Sequence, residues 1–366
     1  MNNVFSDTGE SIFSTVTRLA REHNAINLGQ GFPDFLPPEA LRQKLHDRID
    51  TGFADHQYAP SPGLLHLRRE IARLYNQQYG MNYDPETEIT ITSGATEGLS
   101  STLYGLLNQG DEVIVFEPVY DLYVPVARRA GATITAIPLE EPGFRLPVKR
   151  LKREVSQRTK LIVVNNPHNP TGRVFSRAEL KEVVHAAEAH DAVILSDEVY
   201  EHLTFDEYEH IPMGSLQGAR SRTVFTGSAG KLFNATGWKI GWTLAPEPLT
   251  RAIRCAHQFS TFCTATPLQV SVGDYLSEGV QKFLESNRVE YLSRRRQLLK
   301  ALEDSPFEPI APEGTYFAVA RIPDQWLDKF HGDDVRVARA LIEDHGLASI
   351  PLSPFYKGTE SESDYL

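Results

Sequence analysis

From Glu88 onward the chain alternates short runs rich in Val, Ile and Thr with longer helical patterns. That alternation constrains the fold more than any other feature. Strand candidates are Ile89–Thr92, Glu112–Phe116, Thr133–Ile137, Leu161–Val164, Val193–Ser196, Thr223–Thr226 and Ile240–Ala245. Helical stretches lie between most of them, clearest at Thr96–Leu107, Tyr120–Ala130 and Ser176–His190. Several strands are unbroken apolar runs, as expected when helices cover both faces of a sheet. The pattern predicts an α/β fold with a mostly parallel seven-stranded sheet flanked by helices. In such sheets ligands gather beyond the carboxyl ends of the strands. The residues that follow each run are therefore the candidates for chemistry.

At 366 residues the chain exceeds one ordinary core, so a large domain plus a smaller one is expected. Residues 1–35 read as an irregular N-terminal arm ending in Asn27-Leu28-Gly29-Gln30-Gly31-Phe32-Pro33-Asp34, a loop suited to close backbone approach. Pro37-Pro38-Glu39 opens a helix. His56–Gly63 is rich in turn residues, and an amphipathic helix spans about Leu64 to Tyr79. After a small-residue loop at Phe259–Pro267, a long helical stretch covers about Leu268 to Leu302, with a charged, exposed part at Arg288–Arg296. Strand candidates Phe307–Ile310 and Thr315–Arg321 and a helix at Asp333–His345 form a small α+β lobe. The expected division is an arm at 1–35 packing on the small domain, a large domain at 36–285 and a small C-terminal domain at 286–366.

The net charge of -11 and pI near 5.6 speak against nucleic acid or an anionic membrane as the main partner. An anionic ligand needs a local basic pocket. The two cysteines, Cys255 and Cys263, make no disulfide framework, and no cluster has metal-ligand spacing. Met1–Asp7 lacks a secretory pattern, and the apolar runs are too short to span a bilayer. A soluble, cytoplasmic protein without a metal is expected.

Five strand ends carry chemistry. Ser93-Gly94-Ala95-Thr96 passes from the first strand into a helix, so backbone N–H groups and a helix N-terminus can cradle a phosphate, although the same residues could serve as a cap. Tyr120, after the second strand, can offer a flat face to a ring, though a packed core tyrosine is the commoner fate. Asn165-Asn166-Pro167-His168-Asn169-Pro170-Thr171-Gly172 contains two X-Pro steps that fix a rigid loop and make Asn169 a well-placed donor. Asp197 ends the fifth strand. A half-buried carboxylate there needs a cation, such as a pyridinium nitrogen, or else serves as a helix N-cap. Lys231 follows the Gly227-Ser228-Ala229-Gly230 turn among small residues, with a second cation at Lys239. A desolvated lysine beside another cation suits Schiff-base chemistry.

These motifs, met at successive strand ends, resemble those of class I/II pyridoxal-phosphate aminotransferases of fold type I. They are most similar to the branch of methionine and kynurenine/glutamine transaminases, from about Asn27 to the end of the chain. The resemblance implies that the large domain binds pyridoxal 5'-phosphate, with Lys231 carrying the Schiff base and shuttling the α-proton. It implies that Asp197 keeps the ring nitrogen protonated, that Asn169 and Tyr200 bond the ring hydroxyl, and that Tyr120 stacks on the ring. Gly94, Ala95, Thr96, Ser228 and Lys239 would bind the phosphate. Tyr58 would reach the phosphate of the neighbouring subunit of a homodimer with shared sites, and the Phe259–Thr266 loop with Phe262 would serve the partner's site. Gly31 would present its backbone to the substrate carboxylate. Phe32, Tyr58, Tyr120 and Phe262 would favour aromatic or sulfur-containing side chains.

The implied reaction is ping-pong transfer of an amino group from an L-amino acid to a 2-oxo acid. Sequence leaves open β-elimination on cysteine S-conjugates, which uses the same lysine and acid. A non-catalytic regulator built on this fold is disfavoured, because the stretch before Asn27 is short and not basic. Relatives also use an arginine in a strand near the C-terminus to grip the α-carboxylate. Here the run Ser353-Pro354-Phe355-Tyr356 … Ser363-Asp364-Tyr365-Leu366 ends just before that arginine would come, and Arg321, Arg336 and Arg339 precede it. A sequence cut short before the final strand and helix is the favoured explanation, since a terminus inside a strand leaves unpaired edges. The other is a natural end, in which case cofactor binding survives and amino-acid affinity collapses.

Overall fold

The computed structural model describes residues 10–29, 31–50, 53–357 and 363–366. Residues 1–9 of the expected arm, Gln30 of the glycine loop and the 358–362 part of the C-terminal run lie outside the described residues. In chain order the strands are β1 (Ile26–Asn27), β2 (Ile89–Thr92), β3 (Glu112–Glu117), β4 (Thr133–Pro138), β5 (Thr159–Asn165), β6 (Val193–Asp197), β7 (Thr223–Ser228), β8 (Gly241–Leu244), β9 (Glu308–Ile310), β10 (Val319–Arg321) and β11 (Leu347–Ala348). Strands β2 to β8 make one sheet in the order β2-β8-β7-β6-β5-β3-β4. Strand β8 runs antiparallel to both its neighbours. All other pairings in that sheet are parallel.

The pleat explains why the central strands are apolar on both faces. Along β5, Ile162 and Val164 pack with Leu180, Val183 and Val184 of the helix Arg177–Ala189. The alternate residues Leu161 and Val163 pack with Leu99 and Leu103 of the helix Gly94–Leu106 and with Ile253 of the helix Glu247–Ser260. Each such side chain contributes about 1.5–3 kcal/mol on full burial, so a polar residue on either face would be costly. At the β2 edge, Ile89, Ile91 and Trp242 pack with Leu67, Ile71 and Tyr75 of the helix Leu65–Tyr79. The helix Arg177–Ala189 starts at a reciprocal cap in which Ser176 and Glu179 each bond the other's backbone N–H.

Four expectations change. The stretch read as irregular contains a helix at Ile12–Glu22, capped by Ser11, whose hydroxyl accepts from the Ser14 N–H. Its Val16 and Ala20 bury against Ile342 and Ala348, and β1 pairs in parallel with β11. The long helical stretch is two helices, Thr266–Ser277 and Gln281–Glu303. Gly279, at φ +86, ends the first in the left-handed conformation that favours glycine. The strand expected at Thr315–Arg321 is shortened to β10, because Thr315 turns the chain aside at φ +64. Helices at Val148–Glu154, Glu247–Ser260 and Asp324–Phe330 add to those read from sequence. Strand β10 pairs antiparallel with β9 on one side. On its other side Ala320 and Ile322 donate to the carbonyls of Leu366 and Asp364.

Candidate active site

The carboxyl ends of β2, β3, β5, β6 and β7 open on a cavity of about 400 Å³. At its β2 side lies the start of the helix Gly94–Leu106. Gly94 has φ +75, and a Cβ there would lie 3.0 Å from the Lys239 Cε and Nζ atoms. A Cβ on Gly241 would fall 2.5 Å from the Ala95 nitrogen. Both glycines thus let Lys239 and β8 close against the first turn of that helix. Lys239 Nζ donates to Thr96 Oγ1 at 3.5 Å. Its ammonium is held below its ordinary range, by burial first and then by the charge of Lys231. A helix N-terminus, a disfavoured ammonium and the Ser228 side chain at the end of β7 together describe a place for a phosphate-sized anion.

Across the cavity, Asp197 ends β6 and is 4% exposed. Burial pushes its carboxyl up to about 6, although the Tyr123 hydroxyl, the Val199 N–H and the charge of Lys231 all act the other way. The Tyr123 bond is 2.6 Å long. This acid is therefore under-compensated, and a cation facing it from the cavity would be stabilised. Asn165, paired with Asp197 in the β5–β6 register, fixes the neighbourhood. Its amide donates to the Asp197 carbonyl at 2.9 Å and accepts from the Asn169 N–H at 2.7 Å. The loop's peptide bonds at Asn166–Pro167 and Asn169–Pro170 are cis. His168 lies buried beneath it, its imidazole depressed to about 3 by burial, and its Nδ1 meets Thr171 Oγ1 at 2.9 Å.

Lys231 sits on the short helix Ala229–Leu232 that follows β7. Its Nζ donates to the Tyr316 hydroxyl at 2.5 Å and to the Gly31 carbonyl at 3.2 Å. It lies 5.4 Å from the centre of the Tyr200 ring. The Tyr200 hydroxyl is buried and pushed well above its ordinary range, by desolvation first and then by Tyr316. Tyr120 is likewise raised, to about 12, mainly by burial, and packs edge-on to Tyr123 at 5.5 Å.

The sequence-predicted residues Gly31, Phe32, Gly94, Ala95, Thr96, Tyr120, Asn169, Asp197, Tyr200, Ser228, Lys231 and Lys239 all line this one cavity. Tyr58 and Phe262 do not. They pack edge-on to each other at 5.4 Å beside a separate groove, with Tyr58 82% exposed. Sequence reasoning passed over Tyr123, Asn165 and Tyr316. The spacing of Tyr123 one helical turn after Tyr120 was a usable signal for the first; Asn165 opens the Asn-Pro motif quoted above, but its register opposite Asp197 was not legible there, and nothing in the sequence marked Tyr316.

The sequence profile of the family "Aminotransferase class I and II" matches residues 23–363. The chain belongs to this family. Methionine aminotransferase of Escherichia coli (strain K12) is 37% identical over 347 residues, covering 95% of this chain and 88% of that protein. Kynurenine–oxoglutarate transaminase of Dictyostelium discoideum is 34% identical over 381 residues, covering 96% and 87%. The solved N-succinyldiaminopimelate aminotransferase from Mycobacterium tuberculosis superposes with a TM-score of 0.93 at 37% identity, covering 99% of this chain and 93% of that one. The likeness expected from the motifs therefore holds for both named branches, and the protein is an aminotransferase with the fold type I architecture. Members of the family depend in general on pyridoxal phosphate, act on amino acids and 2-oxo acids, and are typically dimeric.

Proposed function

We propose that this aminotransferase holds pyridoxal 5'-phosphate in the cavity at the strand ends. It moves the amino group of an L-amino acid, aromatic or sulfur-containing, to a 2-oxo acid in two half-reactions. The carrying observation is the buried carboxyl of Asp197, raised to about 6 and facing the cavity that holds Lys231 and the anion cradle. A flat ligand with a cationic ring nitrogen, an aldehyde and a phosphate satisfies all three at once. When bound, it supplies a carbon that captures amines and a ring that takes up an electron pair.

The chain's own residues do the rest. Lys231 Nζ would take that carbon between turnovers and, once free, would take the α-proton of the substrate. Asp197 would keep the ring nitrogen charged, and Tyr123 and Asn165 hold Asp197 in place. Asn169 and Tyr200 would bond the ring hydroxyl, and Tyr120 would cover the ring face. Gly94, Ala95, Thr96, Ser228 and Lys239 hold the phosphate, joined by Tyr58 of a second subunit in a cytoplasmic homodimer. Gly31 and Asn169 meet the substrate carboxylate, while Phe32 and the partner loop bearing Phe262 face its side chain. The large domain at 36–285 carries the cofactor, and the N-terminal arm at 1–35 packs on the small domain at 286–366. The relatives named for methionine and kynurenine support the substrate class.

Borohydride reduction of the purified protein with pyridoxal phosphate, followed by peptide mass mapping, tests the assignment. The adduct is expected on Lys231, and transfer from methionine, phenylalanine or kynurenine should require an added 2-oxo acid. An adduct on Lys239, or none, would overturn it.

A further inference from the structure

We infer that Tyr316 is a positioning residue for Lys231: its hydroxyl holds the lysine amine whenever that amine is free. The inference rests on the reading of Lys231 as the lysine that carries the cofactor. Three groups close a triangle. Lys231 Nζ donates to the Tyr316 hydroxyl at 2.5 Å and to the Gly31 carbonyl at 3.2 Å, and the Tyr316 hydroxyl donates to the same carbonyl at 2.5 Å. The phenol has one proton, which goes to Gly31, and its oxygen accepts from the amine and stands in hydrogen-bond contact with the Tyr200 hydroxyl, while the Gly31 carbonyl has two lone pairs for its two donors.

The three groups come from distant parts of the chain, and Tyr316 is held from behind. The Glu313 and Gly314 N–H groups donate to the Gly172 carbonyl at 2.9 and 2.8 Å, and Thr315 donates to the Leu203 carbonyl at 2.8 Å. Thr315 takes φ +64, a left-handed conformation rare for a branched residue and kept only where the surroundings impose it. The Tyr316 ring stacks on Tyr291 at 5.8 Å and meets Tyr200 edge-on at 5.3 Å. Removing the hydroxyl therefore leaves the ring seated.

The triangle exists only while the amine is free. Capture of an aldehyde by Lys231 needs the neutral nitrogen and expels one water, and the amine must leave both oxygens first. Tyr316 thus stabilises the released lysine and opposes its return to the cofactor. A residue that merely shaped the cavity would do the reverse, since its loss would weaken cofactor binding.

Titration of cofactor-free protein with pyridoxal phosphate, followed by absorbance, reads the sign. Tyr316→Phe should bind about tenfold more tightly, as expected for loss of a hydrogen bond to a charged group in the free state alone. In the Lys231→Ala background the same substitution should change affinity by less than about twofold, because the coupled partner is gone. Unchanged or weaker binding in Tyr316→Phe with Lys231 present overturns the inference, as does an equal change with and without Lys231. Borohydride mapping of the wild type keeps the two readings apart. An adduct away from Lys231 removes the site assignment, whereas an adduct on Lys231 without tighter binding in Tyr316→Phe removes only the role of Tyr316.

Discussion

Asp197 is a costly residue of the cofactor-free protein. Its carboxyl rises from an ordinary 3.8 to about 6 because burial outweighs the Tyr123 bond, the Val199 N–H and the charge of Lys231. The folded state therefore binds this proton more tightly than the unfolded chain does. Stability contributed at Asp197 is full below pH 3.8 and declines as pH rises through about 6, a change of ~3 kcal/mol at most. Asp197→Asn should thus stabilise the cofactor-free protein by about 2 kcal/mol at neutral pH and abolish amino transfer. Thermal melts of both proteins at pH 4.5 and 7.5 check this: the gap between them should be largest at the higher pH and shrink to about a third of that at the lower. Equal gaps at both pH values would show that the carboxyl is not the cause. Tyr123→Phe removes a donor to the same oxygen, so the pH at which the wild type loses this stability should move upward.

At the scale of elements, the strand ends were legible and their supports were not. Ser93-Gly94-Ala95-Thr96, the two X-Pro steps after β5 and the Gly-Ser-Ala-Gly run before Lys231 announce themselves because Gly and Pro punctuate a chain wherever backbone must turn or approach closely. Asn165 gains its role only through its register opposite Asp197, and Tyr316 only through a segment pinned to Gly172 and Leu203 far away in sequence. The helix Ile12–Glu22 escaped notice for a related reason: its apolar face has a meaning only once Ile342 and Ala348 are there to cover it. Two glycine substitutions separate local from functional constraints. Gly279→Ala meets no neighbour within 4 Å and alters only a left-handed backbone, so it should cost about 1 kcal/mol in a denaturant melt with amino transfer unchanged. Gly241→Ala would drive a Cβ into the Ala95 nitrogen and shift the helix start that cradles the phosphate. It should lower affinity for pyridoxal phosphate by about tenfold or more while leaving affinity for unphosphorylated pyridoxal nearly constant, because only the anion uses that helix start. Equal losses for both ligands would mean that the cradle lies elsewhere.

At the scale of the whole molecule, Tyr58 and Phe262 lie apart from the cavity of their own chain that they were expected to help build. Tyr58 and Phe259 are 82% and 87% exposed, and Tyr58 packs on Phe262. Rings left in water fit a homodimer in which each subunit completes the other's cavity. The geometry yields a test that an ordinary loss-of-function series does not. Let one preparation carry Lys231→Ala and another Tyr58→Ala, each nearly inactive alone. In a mixed dimer, the site built on the intact Lys231 receives its Tyr58 from the Lys231→Ala subunit and is whole, while the opposite site carries both lesions. Random exchange makes half of the dimers mixed, with one good site of two in each, so activity should return to about a quarter of the wild-type value. If Tyr58 acts within its own chain, no combination of these subunits holds an intact site and mixing restores nothing. Unfolding and refolding the two variants together, with the amino-transfer rate set against each variant refolded alone, decides between a shared site and a self-contained one.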